Sequence, residues 1–237
     1  MENILKHYSK LIFFNGNRFK GNNSLEMRKY FAKIFVHDIE KFVPLKGKKF
    51  LDVGGARGEF CAEISSLRKV EATNLDPKLR DPIFKNTIKG FANEIPFKDE
   101  TFDIVLCRGV MEHIPFDLQQ PSVDEIYRVT KKGGYCYFVI PPWYNPHAGH
   151  GLKPFHIFPF KVAKFLRNCI FRSNIRENSL AEMSYYPVTF RKMKKMIERG
   201  GYKIIGTQDI HFRLHFMTRI PILNEILVPA VAFIGRK

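Results

Sequence analysis

Cysteine is scarce in this chain: Cys61, Cys107, Cys136 and Cys169 are four of 237 residues and stand far apart. They form no C-x-x-C pair and no metal-ligand spacing, so they are expected to be buried thiols in a reducing compartment, without disulfides. Long apolar runs are missing too. The longest, Ile220 to Ile234, is broken by Asn224, Glu225 and two prolines and falls short of the roughly 20 residues that span a bilayer, so it is expected in the core. The first twenty residues mix Lys6, His7, Lys10, Asn15, Asn17 and Arg18 with short apolar stretches. No uninterrupted apolar segment leads there to a small-residue cleavage site, which argues against secretion. Repeats and low-complexity tracts are absent.

Acidic residues are the minority charge, 23 against 39 basic, for a net charge of +16. The excess is uneven. Residues 1–49 carry eleven basic and four acidic groups, residues 50–142 carry twelve and fourteen, and residues 143–237 carry sixteen and five. A near-neutral centre with basic flanks suits a common core with additions that face anionic partners such as phosphates, nucleic acid or an acidic membrane leaflet. Solubility is the plainer reading of the same charge. With 45% apolar and 26% charged residues, the composition is that of a folded globular chain, and the length suits one α/β domain with embellishments.

Helical spacing of Met27, Tyr30, Phe31, Ile34, Phe35, Ile39 and Phe42 predicts an amphipathic helix over 24–42, with Ser24 as its cap and Pro44 beyond its end. Strands are predicted at 49–53, 70–75, 86–91, 103–107 and 135–140, with helices between them at 59–67 and 123–130. Strands that alternate with helices imply a doubly wound, mostly parallel sheet. After Pro141-Pro142 comes a loop of turn formers, aromatics and histidines. Pro159 then opens a helix with Val162, Phe165, Leu166, Cys169 and Ile170 on one face and Lys161, Lys164, Arg167 and Arg172 around it. Thr189 caps a second basic helix that stops at Gly200-Gly201, and strands at 203–210 and 228–234 close the chain.

The densest chemical signal is Phe50-Leu51-Asp52-Val53-Gly54-Gly55-Ala56-Arg57-Gly58, a strand, a small-residue turn and a helix start. Gly54 and Gly58 let backbone approach a ligand, and the helix N-terminus offers N–H groups to an anionic one. About 20 residues on, Asp76 in Asn74-Leu75-Asp76-Pro77 ends the next strand, where a carboxylate can bind ribose hydroxyls. A nucleoside-containing cofactor is the inference; a turn-forming Asp before Pro77 is the structural alternative.

Five segments in order resemble the class I S-adenosylmethionine-dependent methyltransferases, closely over 45–142 and loosely over 185–237. Asp52 to Gly58 is similar to the family's first motif, which cradles the amino-acid end of the cofactor, and Asp76 matches its ribose-binding acid. Phe91 to Phe97 with Thr101-Phe102-Asp103 resembles the segment that contacts adenine. Cys107 to Ile114, with Glu112-His113-Ile114, is similar to the stretch after the fourth strand, and Arg128 to Gly134 to the approach to the fifth. The resemblance implies a Rossmann-like sheet with an antiparallel last strand and an N-terminal helix, and S-adenosyl-L-methionine as cofactor. It implies cofactor contacts at Asp52, Gly54, Gly55, Ala56, Gly58, Asp76, Phe91, Ala92 and Arg108. Two positions depart from the family: Ala56 replaces a usual glycine, and Phe91 stands where a carboxylate commonly meets the adenine amine.

Methyl transfer depends on alignment, and a base is needed only where the acceptor loses a proton. Candidates are His147, His150 and His156 with Tyr144, in the loop beyond the fifth strand, and His113 beside Glu112. Loop-ordering hydrogen bonds are the alternative role. The H-x-x-H-x5-H spacing finds no nearby cysteine or carboxylate to complete it, so no metal is expected. The chain divides into an N-terminal helical extension (1–44), a cofactor-binding core (45–142), an acceptor-facing loop and basic lid helix (143–181) and the rest of the methyltransferase domain (182–237). The expected acceptor is a small molecule or a lipid or glycan precursor, O- or N-methylated by a cytoplasmic protein that can touch the anionic inner face of a membrane. An RNA acceptor, or a non-catalytic protein that keeps the fold, is the alternative.

Overall fold

The computed structural model describes residues 6–10, 23–79 and 81–237. Asn15, Asn17 and Arg18 lie outside the described residues, as does the side chain of the predicted cap Ser24. Seven strands form one sheet: β1 (Lys49–Val53), β2 (Glu71–Asp76), β3 (Thr87–Lys89), β4 (Phe102–Arg108), β5 (Thr130–Ile140), β6 (Lys203–Asp209) and β7 (Val231–Arg236). Their order is β3-β2-β1-β4-β5-β7-β6. The first five pair in parallel, and β7 is antiparallel to both β5 and β6.

Alternation along each strand splits the core into two layers. Phe50, Ile104, Leu106, Tyr137 and Ile234 face α1 (Asn23–Ile39) and α2 (Glu59–Leu67). Leu51, Val53, Val105, Cys107 and Phe138 instead face the helices α3 (Phe116–Val129) and α5 (Phe190–Arg199). The basic helix α4 (Phe160–Phe171) follows the loop beyond β5, and a short α6 (Leu223–Ile226) precedes β7. Helix α1 is not peripheral: Phe31, Phe35 and Ile39 are buried in the first layer, with Phe35 edge-on to Tyr137 at 5.0 Å. The buried Asp38 accepts from Arg213 and ties α1 to the segment after β6.

Several expectations shift. Helix α3 starts at Phe116, seven residues before its predicted start, and holds Pro121 inside it: the ring removes one N–H from the helix ladder, and the helix continues through it with Gln119, Ser122, Val123 and Ile126 buried. Thr189 caps α5 as predicted, its hydroxyl accepting from the Lys192 N–H at 3.1 Å. Cys61, Cys107 and Cys136 are buried, whereas Cys169 is exposed because α4 turns that face outward. The Ile220–Ile234 run is core only in its second half: Ile222 and Leu227 are exposed, and Val228, Val231 and Phe233 are buried. Among the described residues no helix is long and apolar enough to cross a membrane.

Candidate active site

Between β1 and β4 the strand order changes direction, and open α/β sheets take their ligands at that point, beyond the carboxyl ends of the strands. The turn after β1 and the turn after β4 touch there. Gly54 has φ +73°, and a Cβ on it would sit 2.3 Å from Val110 Cγ2, so only glycine allows the contact. One residue on, a Cβ at Gly55 would meet Asn74 Oδ1 at 2.1 Å and Asp52 Oδ2 at 2.5 Å. Gly58 begins α2 without a side-chain cap, which leaves the first-turn N–H groups for another partner.

Around this turn the sheet gathers the predicted cofactor residues. Asp76 ends β2 and accepts from the Ala56 N–H at 2.8 Å through one oxygen and from the Lys78 N–H at 2.8 Å through the other. Register places Lys89 beside Asp76, so Phe91 and Ala92 follow just past the same edge. Ala92 packs on the second core layer, while the Phe91 ring is exposed. Arg108, at the end of β4, lies over the Phe60 ring at 4.7 Å. Asp52 is only 3% exposed. Burial pushes its carboxyl up to about 7, against the pull of the Arg108 charge. Ala56 adopts φ +51°, a glycine-like conformation held by an alanine.

Asn74 belongs to this site and was not anticipated. Its Nδ2 donates to the Ala56 carbonyl at 3.0 Å, and its buried Oδ1 has no protein partner. The available signal was its place two residues before Asp76, on the same face of β2.

The candidate acceptor residues separate. Gln119 is buried in α3, and its amide donates to the carbonyls of Met111, Ile114 and Tyr186, which clamps the turn after β4 against 184–186. The Tyr186 N–H donates to the Glu112 carbonyl at 2.7 Å, and His113 Nδ1 donates to the Ser184 carbonyl at 2.8 Å. His150 reaches the same place from the loop beyond β5, its ring 4.8 Å from that of His113 and 4.6 Å from that of Tyr185. One ligand atom each of Glu112, His113 and His150 lie within 4.8 Å of one another. The carboxylate that local spacing lacked thus comes from a segment some forty residues earlier in the chain. Glu112 is 3% exposed, and burial raises its carboxyl to about 7.

His147, His156 and Tyr144 stand apart from that cluster. His147 is exposed, and its N–H donates to Asn145 Oδ1. His156, 2% exposed, bonds through Nε2 to the Trp143 carbonyl at 2.7 Å and packs edge-on to the Trp143 ring. Its place is inside the loop rather than on a surface an acceptor reaches. Burial holds its imidazole below the usual value, so it stays neutral. Tyr144 turns to the far side of the loop, into an apolar cavity of about 960 Å³ walled by Ile157, Phe190, Ile222 and Ile226. That cavity contains none of the cofactor residues.

Fold and site define a nucleoside-cofactor protein of the open α/β type: carboxylates stand in the last two residues of the adjacent strands β1 and β2, the Asn74 amide oxygen without a protein partner faces Gly55 beside Asp52, and an uncapped helix start follows the turn. These groups fit a ligand that carries an ammonium, ribose hydroxyls and a carboxylate. Residues 51–138 match the family model described as a methyltransferase domain. An uncharacterized methyltransferase of Mycobacterium tuberculosis is 31% identical over 196 residues, covering 78% of this chain and 75% of the relative. The crystal structure of an S-adenosylmethionine-dependent methyltransferase from Archaeoglobus fulgidus shares the fold, with a TM-score of 0.57 at 18% identity over 95% of this chain and 99% of that one. A geranyl diphosphate methyltransferase solved with geranyl diphosphate and sinefungin does so at 0.56 and 13%, over 86% and 76%. The chain belongs to the class I S-adenosylmethionine-dependent methyltransferases, and S-adenosylmethionine is its cofactor.

Proposed function

We propose that the acceptor is a small molecule or a lipid or glycan precursor, methylated on oxygen or nitrogen where a cytoplasmic enzyme meets an anionic membrane surface. Helix α4 carries this reading. Of its residues only Ala163 is buried, while Val162, Phe165, Ile170 and Phe171 are exposed, Phe165 to 65%. The apolar stripe therefore faces solvent, with the exposed Lys161 and Arg172 beside it. An amphipathic helix of this composition suits a lipid interface. It also packs against the His150–Leu152 turn, and Arg167 donates to the Lys153 carbonyl at 3.0 Å, so a bound surface lies next to the histidine cluster.

S-adenosylmethionine supplies the methyl group from its sulfonium. In this reading Asp52 and the open start of α2 hold the amino-acid end of the cofactor, Asp76 the ribose, and Phe91 with Ala92 flank the adenine. Arg108 sets the charge balance of Asp52. Glu112, His113 and His150 form the polar wall where an acceptor hydroxyl loses its proton. The bond to Ser184 puts the His113 proton on Nδ1 and leaves Nε2 with its lone pair.

The test has two arms. S-adenosylhomocysteine titrated calorimetrically should bind in the micromolar range, roughly −8 kcal/mol, and weaken in Asp76→Ala. Co-sedimentation should retain the protein on vesicles with anionic lipid and not on neutral ones, and Phe165→Glu should release it. Salt-dependent retention on RNA without vesicle binding would instead favour a nucleic-acid acceptor.

A further inference from the structure

We infer that Glu112, His113 and His150 form a divalent transition-metal site at the acceptor side of the cofactor turn. This rests on the methyltransferase reading above and adds to it the group that meets the acceptor oxygen.

Two imidazoles and one carboxylate make a donor set suited to zinc, manganese, iron or cobalt, and less so to magnesium or calcium, which take oxygen ligands. The three ligand atoms lie within 4.8 Å of one another. Ligands of one ion bonded at about 2.1 Å stand roughly 3 to 4 Å apart, so a modest side-chain adjustment closes the site.

Two features point to a cation, and a third fixes the ring that completes the set. First, Glu112 is buried, yet its Oε2 has no hydrogen-bond partner. A buried polar atom without a partner is rare and costly, and a cation between it and the two rings would satisfy it. Second, His113 donates from Nδ1 to the Ser184 carbonyl. That second bond is the support a metal-ligating imidazole ordinarily has, and it leaves Nε2 as the ligand. Third, His150 is held at φ +46°, a conformation that non-glycine residues rarely adopt. The loop is over-determined around it: the Gly149 N–H donates to the Tyr185 hydroxyl, and a Cβ on Gly149 would sit 2.2 Å from His156 Cγ. That packing holds the His150 ring beside His113.

The ion's open coordination positions follow from burial. Glu112 is inside, while His113 and His150 are exposed, so the face opposite Glu112 is open to an acceptor. Because Gly54 touches Val110, two residues before Glu112, the turn that carries Glu112 and His113 lies beside the cofactor turn. There the ion polarises an acceptor hydroxyl, whose proton passes to solvent. The acceptor oxygen then forms its bond to the methyl carbon as the carbon–sulfur bond breaks, with the electron pair staying on sulfur.

The full-length chain, treated with chelator and dialysed, is titrated calorimetrically with Zn²⁺, Mn²⁺ and Co²⁺, and the Co²⁺ form is examined by visible absorption. We expect one ion per chain, with cobalt bands that show imidazole ligation. His113→Ala and His150→Gly, the latter compatible with the positive φ, should each weaken binding by more than about a hundredfold, beyond the tenfold to hundredfold that loss of a supporting partner costs. Glu112→Gln keeps the volume and should weaken binding too. Asp76→Ala should lose S-adenosylhomocysteine and keep the metal, whereas His150→Gly should lose the metal and keep S-adenosylhomocysteine. Absence of binding by all three ions, or unchanged binding in the His113→Ala/His150→Gly double variant, overturns the site. Loss of S-adenosylhomocysteine binding in the wild-type chain instead overturns the cofactor reading, so the two failures are distinct.

Discussion

Burial of Asp52 has a consequence that can be measured through cofactor affinity. Its carboxyl is pushed from 3.8 to about 7 by desolvation, which outweighs the opposing Arg108 charge. If Asp52 faces the α-ammonium of the cofactor, that positive charge favours the ionised form, and binding expels the proton carried in the free protein. At about pH 6 only around a tenth of free sites are ionised, so S-adenosylhomocysteine should bind about tenfold more weakly than at about pH 8, close to 1.4 kcal/mol. Calorimetry in buffers of different ionisation enthalpy should show nearly one proton released at the lower pH and almost none at the higher. Asp52→Asn should flatten the profile. Stability moves the other way. Because the folded value is raised, the group's contribution is fully present below the unfolded value of about 3.8 and is lost as pH rises through about 7. Without cofactor, Asp52→Asn should therefore gain on wild type above neutrality. A pH-independent wild-type affinity, or a profile that Asp52→Asn leaves unchanged, would refute the reasoning.

Three further outcomes follow from particular positions. Ala56→Gly relieves a left-handed conformation that costs alanine about 1–2 kcal/mol, against about 0.5–1 kcal/mol of added chain entropy, so the melting temperature should rise by a few degrees; a fall would show that the alanine methyl contributes packing. Arg213→Ala leaves the buried Asp38 with only the half-exposed Lys41 as a charged partner and should cost about 2–3 kcal/mol in denaturant unfolding. Arg213 and Lys41 hold the Asp38 carboxyl below its usual range against burial, so this contribution is present above about pH 4 and is lost as pH falls through the folded value. Gly149→Ala places a Cβ on the His156 ring and should displace the loop, with a red shift in emission from Trp143, the only tryptophan; unchanged emission would mean that the loop absorbs the methyl group.

Much of the cofactor half was legible because its determinants are local. Asp52 to Gly58 is one continuous strand, turn and helix start, and Asp76 follows at the end of the next strand, so spacing alone aligns them. Asn74 escaped notice since one more polar residue in a short strand already holding Glu71, Thr73 and Asp76 carries no pattern of its own. The start of α3 lies ahead of the predicted one because Pro121 stands inside the helix, where burial of Gln119, Ser122, Val123 and Ile126 offsets the N–H it removes. For α4 the periodicity gave the helix and left its environment open: a stripe at Val162, Phe165 and Ile170 looks the same whether it packs inward or faces solvent.

From the chain alone, then, came the alternation of strands and helices, the glycine turn with its paired acids and the uneven basic charge, because each is written in adjacent residues or in a fixed period. The tertiary structure decided which histidines come together. His113 and His150 are 37 residues apart and meet only because β4 and β5 are neighbours whose carboxyl ends share an edge, while Gln119 and the 184–186 segment clamp the first turn and Tyr185 pins the loop that carries the second. Convergence of this kind depends on strand order and loop packing, which no local spacing encodes.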